Sequence, residues 1–322
     1  MSSALRVAAP IAAFAALFAL APLAVASDAW LNFIVLALFG ALMAQSWNVL
    51  AGFGGQFSFG HAVFFGTGAY AMAVLQVRFG VNAWVALPVA LASGAAVGVF
   101  IGALTFRYGL RGSYFALATL AFAEIFRILA NTFQFTGAGA GLQIPLTKSP
   151  ATLQFDARAG YLYVALAFVV AGLAVAGWLK HSRFGAWLQA VRDNEEAAQA
   201  LGVDVYRIKL GAIAISGATM AAAGAFYVQY LHYIDPALAY GPHYSVEALV
   251  GALVGGVGTV WGPVVGAFAL HLLSDLTRNA FGDVPGVNLM IYGALLVLIV
   301  MFAPRGLAGL LAALAARLRG SK

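Results

Sequence analysis

An all-α, polytopic transmembrane helical bundle is the fold this sequence predicts, and three observations carry it. Of the 322 residues, 63% are hydrophobic and 9% charged, whereas a soluble domain carries about a quarter of its residues charged. Apolar runs of about 20 residues, the length that crosses roughly 30 Å of hydrocarbon as a helix, recur along the chain between short polar breaks. Runs such as "AALFALAPLAVA" also lack the alternation of a transmembrane barrel strand. The whole of 1–322 therefore reads as a single transmembrane domain.

Ten spans follow in order. Leu5 to Ala26 opens the chain as a first helix. The same stretch reads as a cleavable secretory signal, with Arg6, an apolar run and "AVA" before Ser27. Next come Trp30 to Leu50, His61 to Gln76 and Ala83 to Phe106, the last with Gly94, Gly98 and Gly102 at the small-xxx-small spacing of close helix packing. Ser113 to Phe133, Tyr161 to Leu179 and Ile208 to Tyr230 are each long enough to cross. Tyr244 to Val257 is short for a crossing; Trp261 to Phe281 and Leu289 to Phe302 complete the set.

The net charge of +6 flanks apolar spans, which points to orientation in a bilayer and away from nucleic acid. With a cytoplasmic amino terminus, the inner side collects Arg6, Arg107, Arg111, Lys180, Arg183, Arg192, Arg207, Lys209, Arg305, Arg317, Arg319 and Lys322. The outer side receives only Arg78, Lys148, Arg158 and Arg278. Lys and Arg thus gather inside, as membrane proteins require, with both termini cytoplasmic if the first helix is retained.

Two stretches break the apolar pattern. "GGQFSFGHAVFFGTGAY", Gly54 to Tyr70, and "GALVGGVGTVWGPVVGAFAL", Gly251 to Leu270, are rich in glycine. Unwound backbone at membrane depth is tolerated only where protein buries it or a cavity is lined by it, so both are candidates for a pathway. The competing reading is close packing through Gly251/Gly255, Gly258/Gly262 and Gly262/Gly266. In the first break, Gln56, Ser58 and His61 beside Gly54, Gly55 and Gly60 would bend the chain into the bundle interior, toward a translocation cavity.

The fifth span places Glu124 near its middle, with Arg127 and Asn131 following on one helical face. A central charge costs about 2.5 to 3.5 kcal/mol, while the span's Leu, Ile and Phe side chains together return roughly −4 kcal/mol. The helix inserts with little surplus. An ionisable residue so placed is a functional candidate, for pathway or gate, or else an interhelical structural pair. Asn48, Glu247, His271 and Asp275 lie near span boundaries, where water is the simplest partner.

The one long charged connector is "KHSRFGAWLQAVRDNEEAAQALGVDVYRIKL", Lys180 to Leu210. Asp193 is positioned to cap a helix about two turns long, with Glu196 reaching back as in a capping box and Gly202 supplying a left-handed stop. A self-capped helix is more than a plain connector needs.

The run Glu196-Ala197-Ala198 followed by Gly202 resembles the coupling loop of ABC importer permeases. The wider stretch "AVRDNEEAAQALGVDVYRIKL" is similar to that of branched-chain amino acid permease subunits of the LivM type. So are "GGQFSFGHAVFFGTGAY", "FALATLAFAEIFRILANTFQFTGAGAGL" and "FAPRGLAGL" from Phe302 to Leu310. The resemblance runs from about Leu31 onward. Ile208-Lys209-Leu210 departs from the general coupling loop, arriving early and without its proline.

What the resemblance implies is a permease subunit of an ATP-driven importer in a bacterial inner membrane. It would form a heterodimer with a sister permease, held by two cytoplasmic ATPase subunits and served by an extracytoplasmic binding protein. Cargo would be a branched-chain amino acid or a related small solute such as urea, an amide or an aromatic acid. Arg192, Asp193, Glu195, Glu196, Ala197, Ala198 and Gly202 would form the ATPase-coupling site. Gly54, Gly55, Gln56, Ser58, His61, Glu124, Arg127 and Asn131 would line the pathway.

No phosphate-binding Gly-x-x-x-x-Gly-Lys-Ser/Thr occurs in the sequence, so any ATP must be hydrolysed by another subunit. There is no cysteine, and no two of the five histidines stand at helical metal-ligand spacing. Ser58 and His61 lack a nucleophile elbow. The expectation is a non-enzyme without cofactor or metal; the alternative from a different class is a stand-alone secondary transporter or channel.

Overall fold

In the computed structural model the described residues are 3–24, 27–147, 149–281, 286, 290, 291, 293, 294, 297, 301 and 306–310. They form an all-α bundle. Helix α1 (Ser3–Ala19) breaks at Leu20 before the single turn α2 (Ala21–Ala24), where Pro22 has no N–H to continue the ladder. Helix α3 (Asp28–Trp47) runs on into a π-helical turn, Asn48–Phe53. Then follow α4 (Ala62–Phe79), α5 (Ala83–Arg107), α6 (Gly112–Thr132), α7 (Arg158–His181), α8 (Arg183–Asp193), α9 (Glu195–Ala200) and α10 (Val205–Leu231). The series closes with α11 (Pro236–Tyr240), α12 (Pro242–Gly255) and α13 (Gly262–Phe281).

Among the described residues, six helical segments are long and apolar enough to cross a membrane: α3 with its π turn, α4, α5, α6, α7 and α10. The expectation of ten spans differs for physical reasons. Helix α12 has 14 residues, about 21 Å at 1.5 Å per residue, and stops short of a crossing. The first span is interrupted, α13, expected as the span Trp261 to Phe281, carries His271, Asp275 and Arg278 and is not among the six, and most of Leu289 to Phe302 lies outside the described residues.

The segment of α3 with its π turn forms the centre, 83% buried, against α7, α10, α12 and α13; α6 is the most peripheral span, 28% buried. Glycine lets α5 and α10 touch. A Cβ on Gly98 would stand 2.7 Å from Ile213 O, and one on Gly94 2.6 Å from Gly217 O, so the packing reading of these glycines fits.

The two ends of the bundle differ. At one, the strands β1 (Leu142–Gln143) and β2 (Tyr233–Ile234) pair antiparallel beside short 3-10 turns, with Tyr233 OH donating to Ala140 O at 3.1 Å. Arg78 Nη2 there donates to Gln134 O at 3.0 Å, and Asn82 Nδ2 donates to Ala151 O at 2.8 Å. At the other, α8 and α9 lie against the starts of α6 and α10 and the π turn.

Candidate functional site

Helix α8 begins where Ser182 Oγ accepts from Gly185 N at 3.1 Å. Because α8 runs through Asp193, that residue is already helical, and the first extended residue is Asn194, at φ −157° and ψ 104°. The cap of α9 is therefore Asn194, whose Oδ1 accepts from Ala197 N at 3.0 Å; the expected cap Asp193 instead accepts from Arg192 Nε at 2.9 Å. Nor does Glu196 reach back. Its side chain is 85% exposed, with Arg111 Nη1 3.8 Å away.

The far end of α9 is closed as expected. Gly202 sits at φ +84°, Val203 N donates to Ala198 O at 3.1 Å and Gly202 N to Gln199 O at 2.9 Å, a double-bonded left-handed stop. The two adjacent glutamates diverge. Glu195 turns inward, its Oε2 accepting from the buried Lys209 Nζ at 2.7 Å and lying 3.3 Å from Arg111 Nε. Ala198 is buried beneath the helix, while Leu201 at its end is 85% exposed. The result is a short rod fixed on its inner face and bare on its outer one.

Beside the rod lies the first break. Arg192 Nη1 donates to Gly52 O at 3.0 Å, inside the π turn. Gly54 and Gly55 follow; Gly55 stands at φ +67°, and a Cβ there would meet Arg192 Cγ at 2.6 Å, so only glycine fits. From Gln56 to Gly60 the chain leaves the helix, and its residues alternate between buried and exposed. Gln56, Ser58 and His61 are buried in the chain's own interior. Ser58 O accepts from Trp47 Nε1 at 2.9 Å, and His61 Nε2 lies 3.0 Å from Ser216 Oγ.

Phe57 and Phe59, between them, are each 45% exposed. These two were missed in reading the sequence, although the period-two pattern of "QFSFG" is the signal that separates them. They open onto a groove made of three adjoining hollows. One, of about 400 Å³, lies between Phe57, Phe59 and the start of α6. The next, about 420 Å³, is lined by Phe59, Leu117, Leu120, Glu124, Tyr240, Pro242 and Ser245, and a third of about 490 Å³ continues past Pro242 to His243 and Tyr244.

Glu124 reaches this groove and is half exposed. Arg127 grips it in a two-pronged pair, Nε to Oε2 at 2.8 Å and Nη2 to Oε1 at 2.6 Å. Asn131 is exposed one turn further along the same helix. The structure thus brings Glu124 to the groove and Arg127 to Glu124, while Gln56, Ser58 and His61 lie behind its aromatic wall.

Three residues assigned to water at span boundaries have protein around them instead. Asn48 is 1% exposed; its Oδ1 accepts from Gly258 N at 2.7 Å and its Nδ2 donates to Thr259 O at 2.9 Å. Glu247 is held between His243 and His271, at 3.6 and 3.5 Å. The second break folds back onto the π turn and encloses Asn48, and α12 packs against α13 and α3 around Glu247, which reading spans one at a time does not reveal. Among the described residues no group of His, Cys, Asp and Glu could hold a metal ion.

Comparison with known proteins places this geometry in context. The sequence model described as branched-chain amino acid transport system / permease component matches residues 29–300. The high-affinity branched-chain amino acid transport system permease protein LivM of Escherichia coli (strain K12) is 32% identical over 286 residues, 81% of this chain and 65% of that protein. The chain thus spans somewhat less than two thirds of the length of the LivM proteins it matches. The probable branched-chain amino acid transport permease protein LivH of Methanocaldococcus jannaschii is 26% identical, covering 75% of this chain and 79% of its own. The ribose import permease protein RbsC of Escherichia coli (strain K12) is 28% identical over 65% of each. No solved structure matches.

Proposed function

Because the chain belongs to the branched-chain amino acid transport system permease family, we propose that it is a membrane-spanning subunit of an ATP-binding-cassette importer carrying branched-chain amino acids. The observation that carries this reading is the rod α9, anchored through Glu195 to Lys209 and Arg111 while Glu196 and Leu201 face outward. A helix held this way resists unwinding when pushed, because Asn194 caps its first turn and Gly202 N and Val203 N close its last. The α9 end is cytoplasmic in this reading, in a bacterial inner membrane, in keeping with the basic residues Arg107, Arg111, Lys180, Arg183, Arg207 and Lys209 gathered there.

The partners are a sister permease, two ATPase subunits gripping α9 and its counterpart, and an external binding protein. The sister permease covers the groove beside α6, which explains a half-exposed ion pair in the middle of a span: it faces a shared cavity, not lipid. Phe57, Phe59, Leu117 and Leu120 give that cavity apolar walls suited to an aliphatic side chain, and Glu124 gives it a carboxylate suited to an amino group. Nucleotide hydrolysis belongs to the ATPase subunits. Similarity to a ribose import permease supports a second reading in which the same machine carries another small polar solute.

Proteoliposome uptake of radiolabelled L-leucine tests this. The chain with its sister permease, ATPase and binding protein is expected to accumulate leucine only with ATP inside or outside as the ATPase faces; accumulation by the chain alone would contradict it.

A further inference from the structure

The π turn that leads into the first glycine-rich break meets the second break, some 210 residues on in sequence, at one point. Asn48, at the first turn of the π helix, binds both Gly258 N and Thr259 O of the second break, as an acceptor and a donor. One turn on, Gly52 O accepts from Arg192 Nη1, at the end of α8. Gly258 is close to both: a Cβ on it would stand 3.2 Å from Gly52 O and 3.5 Å from Arg192 Nη1. The guanidinium is aimed by Asp193, which takes Nε and Nη2, each at 2.9 Å, and leaves Nη1 for the carbonyl. On the other side Gly306 packs on the second break, where a Cβ would meet Gly256 N at 2.5 Å.

A π turn leaves carbonyls outside the regular ladder, and a buried backbone acceptor needs a donor. Any neutral donor would satisfy Gly52 O. A donor carried on the helix next to α9 does more, because it ties the rod's position to the position of the break. Asn48 then ties that break to the other.

We infer that Arg192 and Asn48 are positioning residues that fasten the α8–α9 segment to both broken helices, so that a displacement of α9 moves the two breaks as one body. This rests on the importer reading above. Arg192, which the sequence grouped with residues touching the ATPase, acts inward on the permease instead.

The test uses the complete importer in proteoliposomes and reads ATP hydrolysed per L-leucine taken up. Arg192→Ala is expected to raise that ratio by about tenfold or more, as for loss of one charge-assisted hydrogen bond. Arg192→Lys, which keeps a cationic donor without the fork, is expected to stay within about threefold of wild type. A purely structural role would lower the amount of assembled importer without changing the ratio. If Arg192→Ala does not assemble, Arg192→Met, which fills the space without a donor, and Asn48→Ala are read the same way.

An unchanged ratio in Arg192→Ala, or in both substitutes, overturns the inference while leaving the importer reading intact. Equal uncoupling by Arg192→Lys and Arg192→Ala also overturns it. Wild-type liposomes that take up leucine without ATP would overturn the importer reading and the fastening that rests on it.

Discussion

Lys209 is 2% exposed at the start of α10, and its ammonium has Glu195 Oε2 at 2.7 Å as its ion-pair partner. Removing one partner of such a pair costs about 3 to 5 kcal/mol because the other charge is left buried, whereas removing both is often neutral. Lys209→Met is therefore expected to lower the thermal unfolding midpoint in detergent, and Glu195→Leu with Lys209→Met to recover most of the loss. An unchanged midpoint in the single variant would show that Arg111, 3.3 Å from Glu195, suffices. Glu124 and Arg127 pose the opposite case, a pair half exposed on the groove. Glu124→Leu with Arg127→Met is expected to abolish leucine uptake while leaving insertion intact; wild-type uptake by that double variant would remove the pair from the pathway. Glu124 was legible as a charge inside an apolar span. Asn48 was not, because its partners, Gly258 and Thr259, come from the second break and nothing local in sequence announces them.

At the scale of elements, α9 is a helix of six residues, too short to persist on its own, so its caps decide its stability. Asn194→Ala is expected to cost about 1 kcal/mol, the usual worth of an N-cap, seen as faster hydrogen exchange at Ala197 and its neighbours. Exchange no faster than in wild type would mean that the anchors of Glu195, not the cap, hold the rod. The capping pattern Asp-x-x-Glu pointed to the right helix one residue early. What misled it was α8: the chain before Asp193 carries amphipathic spacing that folds as a helix of its own, so Asp193 closes one element and Asn194 opens the next. The spans show the same division. Apolar length located each of them, since burial in lipid or protein makes the same demand on composition. How far α12 reaches depends on the turn at Gly256–Trp261 bonding to Asn48 in the π turn, a tertiary contact absent from any single window.

As a whole, the described residues form a bundle with two unlike ends and a groove along the side of α6. One end carries paired strands and short turns, the other carries α9 and the point where the π turn meets the second break, and the side beside α6 is a groove. Fold class and the four stretches bearing the family resemblance were legible because hydrophobicity and glycine content are properties of the chain itself. Which residues wall the groove was not, since Phe57 and Phe59 read as ordinary membrane aromatics until Gln56, Ser58 and His61 are seen to be buried behind them. The central claim is that energy enters at the α9 end through a separate ATPase. With no cysteine in the chain, a single one can be placed at will, and site-directed cross-linking in the native membrane is the direct measurement. Leu201→Cys, at the exposed end of α9, is expected to capture the ATPase subunit, and Leu146→Cys, exposed at the opposite end, is not. Capture from Leu146→Cys, or from neither position, would contradict the account.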